Sequence, residues 1–222
     1  MNNSVTNTAR LLGAGLRALL VLTLVTGVIY PLVVTGVAQA LFHSKANGSE
    51  VKADGKVVGS SLIGQSYNLP LKKGQDTPDR DLKWFQGRPA NGLGSNSVNT
   101  QYKLLLSGAT NLSADNKNLI QQVQDAKAAV IKDNAVPGHT VRASEVPADA
   151  VTSSGSGLDP DISPAYAEIQ VHRIAVKNGL SVTRVEKLVK DHTQGRTLGF
   201  MGEPRVNVLE LNIALKDLVA EH

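Results

Sequence analysis

The sequence predicts an α/β chain: one N-terminal transmembrane helix followed by a single mixed α+β extracytoplasmic domain with short strands and about four helices. Three observations predict it. Residues 18–42 form an uncharged apolar run. The only charges ahead of that run are Arg10 and Arg17, with no acid among them. Beyond it, turn-rich stretches of Gly, Pro and Asn alternate with amphipathic runs of helical period. The resulting boundaries are a cytoplasmic N-terminus (1–17), a membrane helix (18–42) and one domain (43–222).

As a helix, Ala18–Phe42 would span roughly 37 Å at ~1.5 Å per residue, enough to cross a hydrocarbon layer of about 30 Å with tilt. Pro31 lies mid-span, where its missing N–H and its ring predict a kink. Thr23 with Gly27, and Gly36 with Ala40, are small residues four apart, a spacing that admits a neighbouring helix closely. Ala38-Gln39-Ala40 fits a signal-peptidase site, but the apolar run far exceeds a signal h-region of about 7–15 residues, which predicts retention. The positive residues ahead of the span place the N-terminus in the cytoplasm and residues 43–222 outside.

Of 23 basic and 19 acidic residues, all but those two arginines fall in 43–222, so the domain is nearly charge-balanced and carries no nucleic-acid footprint. The chain has no cysteine, which excludes disulfides, thiolate metal sites and thiol nucleophiles. Aromatics make up only 4%, so the core must be built from Leu, Val, Ile and Ala.

Residues 43–56 read as an exit linker and a turn, and Val57-Val58 and Leu62-Ile63 as short strands. Residues 68–83 read as a surface loop, and 86–112 as a long irregular segment rich in Gly, Asn and Ser. A helix is predicted over 114–133, capped by Ser113, with Leu119, Val123, Ala126 and Val130 on one face. Ser163 as N-cap and Pro164 as first residue open a second helix that stops at Gly179. A third begins at Ser181 or Thr183, buries Val185, Leu188 and Val189, and ends near His192, whose place suits the helix dipole. Asn207 and Glu210 have capping-box spacing ahead of a last helix over 208–220.

Nucleotide and hydrolase templates are absent: there is no Walker loop, no Asp-Lys-Thr-Gly-Thr phosphorylation site, no G-x-S-x-G and no H-E-x-x-H. The histidines are His43, His139, His172, His192 and His222. Glu168 and His172, four apart on one helix, read as a surface ion pair more readily than as half a metal site. One stretch stands out, Val151-Thr-Ser-Ser-Gly-Ser-Gly-Leu-Asp-Pro160. Its amides, close to a helix N-terminus, could hold a small anion. The plainer reading is a capped turn that needs glycine. A serine hydrolase built on Ser154 or Ser156 would need a base, for which only His139 and His172 qualify.

In order along the chain stand Gly27-Val-Ile-Tyr-Pro31, Gly59-Ser-Ser-Leu-Ile-Gly-Gln65, Trp84-Phe-Gln-Gly-Arg-Pro89, Ser107-Gly-Ala-Thr-Asn-Leu112, the 151–160 stretch, Ile162-Ser-Pro164, Ala167-Glu-Ile-Gln170 and Gly202-Glu-Pro-Arg-Val-Asn-Val-Leu-Glu-Leu-Asn-Ile-Ala-Leu215. With a single membrane helix in front, this series resembles the C-subunit family of the Kdp potassium-transporting ATPase (KdpC). Two departures are local. Residues 107–112 replace the family's usual Ser-Gly-Gly-Ser-Asn-Leu, and 68–83 is longer than usual.

The resemblance implies a non-catalytic subunit of a bacterial inner-membrane pump. Its partners would be a potassium-binding channel-like subunit (KdpA), the P-type ATPase subunit (KdpB) and a small membrane peptide (KdpF), all embedded in membrane lipid. It implies no cofactor of its own, a role in assembly, and a proposed catalytic-chaperone effect that raises the ATP affinity of the ATPase subunit. The residues linked to that effect would be Ser154, Gly155, Ser156, Gly157 and Gln170. ATP is bound in the cytoplasm, whereas the charge asymmetry sends these residues outside, so either the orientation is the reverse or the effect on ATP is indirect, through the complex; the outer location with an indirect effect is the expectation.

Overall fold

The computed structural model describes residues 2–95 and 105–221. The chain divides into two compact units, one through Glu50 and one from Val51. The first is dominated by a helix running without interruption from Asn2 to Leu41: α1 (Asn2–Leu24), a π-turn (Val25–Ile29) and α2 (Tyr30–Leu41). Its stretch Ser4–Leu41 is long and apolar enough to cross a membrane. The helix extends far upstream of residue 18, because nothing between Asn2 and Arg17 breaks it. Pro31 is met by a widened turn. In a regular α-helix its ring would strike the carbonyl of Gly27. Here the Tyr30 N–H reaches back five residues to the Val25 carbonyl. A one-turn helix, α3 (His43–Ala46), follows where a linker was expected, and the Asn47 side chain ties it back to Gln39 and to the His43 carbonyl.

The second unit starts with the hairpin β1 (Glu50–Ala53) and β2 (Lys56–Ser60), turned by Asp54-Gly55 with both residues at positive φ. Val57 and Val58 lie in β2 as expected, but Leu62-Ile63 forms no strand and sits in a turn. Residues 68–83 hold no named element, only the bridge Asn68–Arg80. Within 86–112, β3 (Gly94–Ser95) pairs antiparallel with β4 (Leu105–Leu106); residues 96–104 of that stretch lie outside the described residues, as does His222.

Helix α4 (Lys117–Asp133) starts later than predicted. Asn116, not Ser113, caps it: the Asn116 carboxamide oxygen accepts from the amides of Asn118 and Leu119, while the Ser113 hydroxyl bonds Asp115. The other caps stand where the sequence puts them. Ser163 caps α5 (Pro164–Asn178), and Gly179 ends it in the left-handed conformation. Ser181 caps α6 (Val182–Asp191), His192 is its C-cap, and Asn207 caps α7 (Val208–Ala220). Three short strands, β5 (Asp161–Ile162), β7 (Arg205–Asn207) and β6 (Thr193–Gln194), form a small antiparallel sheet with β7 central.

The core lies among α5, α6, α7 and that sheet. Val171, Ile174, Val185, Val206, Leu211 and Leu215 fill it, with Phe85 entering from the irregular segment. The Trp84 ring packs at its edge, 6.0 Å from Tyr67.

Candidate functional site

The 151–160 stretch folds as a tight turn whose hydroxyls serve its own backbone. The Ser154 side chain is buried, and its Oγ accepts from the Gly157 N–H at 2.8 Å and lies 3.3 Å from the Ser156 Oγ. The Ser156 Oγ accepts from the Leu158 N–H at 3.1 Å. Gly157 has φ +67°, which only glycine adopts without strain, and a Cβ there would press on Leu93. Gly155 and Ser156 face solvent. The turn is stitched to the preceding segment: the Ser156 carbonyl accepts from the Ser107 hydroxyl at 2.9 Å and from the Gly108 N–H at 3.0 Å. Gly64 lies against the next residues, its N–H donating to the Leu158 carbonyl at 2.8 Å. Thus three of the sequence motifs, at 59–65, 107–112 and 151–160, meet in one place.

Shallow clefts flank this turn. One of about 280 Å³ is lined by Asn91, Leu112, Gln122, Ser153 and Ser154; another of about 370 Å³ is lined by Gly64, Gln65, Arg88, Leu93 and Gly157. Arg88 pairs with Asp159 at 2.8 Å, and its Nε finds no acceptor among the described residues.

Gln170 is elsewhere, in the core, and 0% exposed. Its carboxamide docks edge-on to the backbone of Gln86 as a strand would: the Gln86 N–H donates to Oε1 at 2.7 Å, and Nε2 donates to the Gln86 carbonyl at 3.1 Å. Asn212 from α7 repeats the arrangement on the previous residue, accepting from the Phe85 N–H and donating to its carbonyl, both at 2.9 Å. Asn178 at the end of α5 donates to the Lys83 carbonyl at 2.9 Å.

Arg173 completes the grip. It is 1% exposed and donates to the carbonyls of Leu82 and Trp84, to the Asn134 carboxamide at 2.9 Å and to the Gln170 Oε1 at 2.6 Å. Burial pulls its pKa down to about 10, so it remains a cation at neutral pH, held by neutral oxygens. The strip 82–86, the start of the Trp84-Phe-Gln-Gly-Arg-Pro89 motif, is therefore fastened by side chains from α5 and α7 in place of neighbouring strands.

His172 does not pair with Glu168 among the described residues. Its ring lies flat on that of His139, 3.7 Å between centroids and 8° between planes. Neither histidine is among the hydrogen-bond partners of Ser154 or Ser156. No group of three His, Asp or Glu residues converges as a metal site among the described residues. In the first unit, Thr23, Gly27, Pro31, Gly36 and Ala40 are all exposed on the long helix, and added carbon at Gly36 would meet nothing within 4 Å.

A family model described as the K+-transporting ATPase c chain, KdpC, matches residues 12–217. The potassium-transporting ATPase KdpC subunit of Streptomyces avermitilis is 78% identical over 220 residues, covering 99% of each chain. The chain belongs to the KdpC family. The KdpC subunit of Streptomyces coelicolor is 76% identical over 220 residues, 99% of this chain and 98% of that one. The KdpC subunit of Caldanaerobacter subterraneus subsp. tengcongensis is 43% identical over 203 residues, 91% and 93% of the two. The KdpC match takes in the turn, the gripped strip and most of the apolar helix.

Of the residues singled out from sequence, Ser154 to Gly157 meet in the turn, and Gln170 lies in the polar grip. Sequence reading missed Arg173, Asn134 and Asn212. One signal was available. Tyr166, Gln170 and Arg173 follow at spacings of four and three on a helix whose other inward positions are apolar. A charged residue on such a stripe must be caged by acceptors.

Proposed function

We propose that this KdpC-family chain is the non-catalytic accessory subunit of a high-affinity, ATP-driven potassium uptake pump. It is held in the bacterial inner membrane by its long helix, N-terminus in the cytoplasm and domain outside. It assembles and stabilises the complex of the potassium-binding subunit (KdpA), the P-type ATPase subunit (KdpB) and a small membrane peptide (KdpF). Any gain in ATP affinity, the catalytic-chaperone effect, passes through the shape and seating of the domain, and ATP itself stays with the ATPase subunit.

The observation that carries this reading is the inward turn of the family's polar residues. Both ends of the Gln170 carboxamide are engaged in the core, and the hydroxyls of Ser154 and Ser156 serve their own turn. A carboxamide engaged at both ends in the core offers nothing to a nucleotide or a substrate, and the Ser154 hydroxyl is buried in its turn; only Ser156 faces solvent. These side chains do fix the surface that a companion subunit would meet. On the membrane helix, the small residues Thr23, Gly27, Gly36 and Ala40, together with the π-turn before Pro31, support packing against a neighbouring helix.

Two experiments test the proposal. Deleting this chain from the pump is expected to reduce both complex integrity and potassium-stimulated ATP hydrolysis; an intact, fully active complex without it would overturn the accessory role. Protease added to spheroplasts is expected to cleave the domain, while inverted vesicles protect it. Cleavage in inverted vesicles alone would reverse the orientation.

A further inference from the structure

Between β6 and β7 the chain leaves the small sheet as a short hairpin. Thr197 and Met201 pair as an antiparallel bridge, with N–H to carbonyl distances of 2.9 and 3.0 Å in the two directions. The Gly199 N–H donates to the Arg196 carbonyl and the Phe200 N–H to the Thr197 carbonyl. Leu198 (φ +54°), Gly199 (+82°) and Gly202 (+78°) are left-handed. For a leucine this conformation is disfavoured and persists only where the surrounding turn imposes it. The tip is thus a shaped element with an internally bonded backbone.

That element holds its apolar side chains away from the core. Leu198, Phe200 and Met201 are 79%, 70% and 51% exposed. No other five-residue run among the described residues of the second unit puts three large apolar side chains out this far. Behind the tip stand two ion pairs, Arg196–Glu203 at 2.9 Å and Arg205–Asp161 at 3.2 Å.

Exposed aromatic and aliphatic groups on a rigid turn mark a docking surface. The charges decide what docks. A lipid-seeking tip gains from free basic residues that meet anionic headgroups. Here each arginine beside the tip already faces a carboxylate, so the base of the hairpin has no net attraction for such a surface. Apolar anchors inside a rim of paired polar groups are instead the anatomy of a protein interface. The patch is small for a free-standing complex, but the domain is not free. The seven residues between Phe42 and β1 reach at most about 25 Å even when extended. A tethered contact acts at high effective concentration, so a small anchor suffices.

We propose that the Leu198–Met201 tip plugs into an apolar recess on a companion subunit of the same pump, an inference that rests on the accessory-subunit reading above. The chain has no cysteine, so Phe200→Cys gives it a single thiol. That thiol is labelled with a maleimide in membrane fragments open on both sides, and the label is read on this chain's own gel band. It is expected to react readily when the full chain is alone in the bilayer and at least tenfold more slowly in the assembled pump. Met201→Cys repeats the measurement with the phenyl ring in place. A benzophenone carried on either thiol is expected to link to a companion subunit. Equal reactivity in both states, protection already in the bilayer alone, or crosslinks to lipid only would each overturn the proposal. Phe200→Asp, at an exposed position, is expected to keep the wild-type circular dichroism and reduce co-purification with the companions at least tenfold; undiminished co-purification would count equally against it. Should the wild-type chain fail to enter any complex, the accessory reading fails instead.

Discussion

Replacing Gln170 with leucine separates its hydrogen bonds from its volume. Leucine fills similar space but leaves the Gln86 N–H, the Gln86 carbonyl and one Arg173 N–H without partners in the core. An unsatisfied buried neutral group costs about 1–3 kcal/mol, and one on a charged side chain at least as much, which sums to about 3–9 kcal/mol over the three groups for Gln170→Leu. A domain whose whole stability is about 5–15 kcal/mol would be driven close to unfolding. Urea denaturation of the full chain in detergent, followed by circular dichroism, measures the loss, with the exposed neighbour Glu168→Gln as a control expected to stay within about 0.5 kcal/mol. Asn212→Leu, which strips the equivalent clasp from Phe85, should behave like Gln170→Leu and lower pump assembly in the same proportion. Were Gln170→Leu to unfold within about 1 kcal/mol of the wild type while ATP affinity collapsed, the grip would be irrelevant to function and Gln170 would need a chemical role.

Gly157→Ala forces a side chain into a left-handed residue and against Leu93; about 1–2 kcal/mol for the conformation alone, before any clash, should appear as a lower denaturation midpoint. Ser163→Ala removes the cap on the Tyr166 N–H and a hydroxyl bond to Asp149, and should lower stability by about 1–2 kcal/mol in the same assay. For Asp161, burial raises the pKa against the pull of Arg205. The folded state therefore binds the proton more tightly than the unfolded chain, and this group's contribution to stability falls as pH rises through and above the usual carboxylate range. Asp161→Asn should flatten that part of the profile, and an unchanged slope would assign the effect to other groups.

What could be read in the sequence was local. Ser163-Pro164 and Gly179 mark both ends of α5, and Ser181 and Asn207 open their helices, because a cap acts within a few residues of itself. Near misses were also local. Asn116 and Ser113 are both competent caps, and only the path of the chain decides between them. Asp54-Gly55 carried a hairpin signal, and the flanking Glu50–Ala53 alternates polar and apolar, but that run is only four residues long and sits in a polar stretch that reads as a linker. Leu62-Ile63 looked like a strand by composition and turned out to be a turn held over Leu158 by Gly64. The strip at 82–86 was not legible at all. Its partners stand up to 127 residues away, and no period or motif relates Phe85 to Asn212. The same holds for the meeting of residues 107–108 with Ser156, which the sequence offered only as separate motifs.

The fastening of residues 82–86 also sets the chain's response to acid and base. Every side chain that reaches the strip from α5 and α7 is a carboxamide or a guanidinium. Carboxamides do not titrate, and Arg173, even with its pKa drawn down to about 10, keeps its proton at neutral pH. The surface pairs behave otherwise: Asp79 beside Lys72 and Asp191 beside Lys187 release their protons more readily than usual and lose their hold on those lysines only as the medium turns strongly acidic. A domain clasped in this way keeps its interior shape while its periphery exchanges charge with the surroundings, so a swing in pH reaches the rim of the molecule before it reaches the frame.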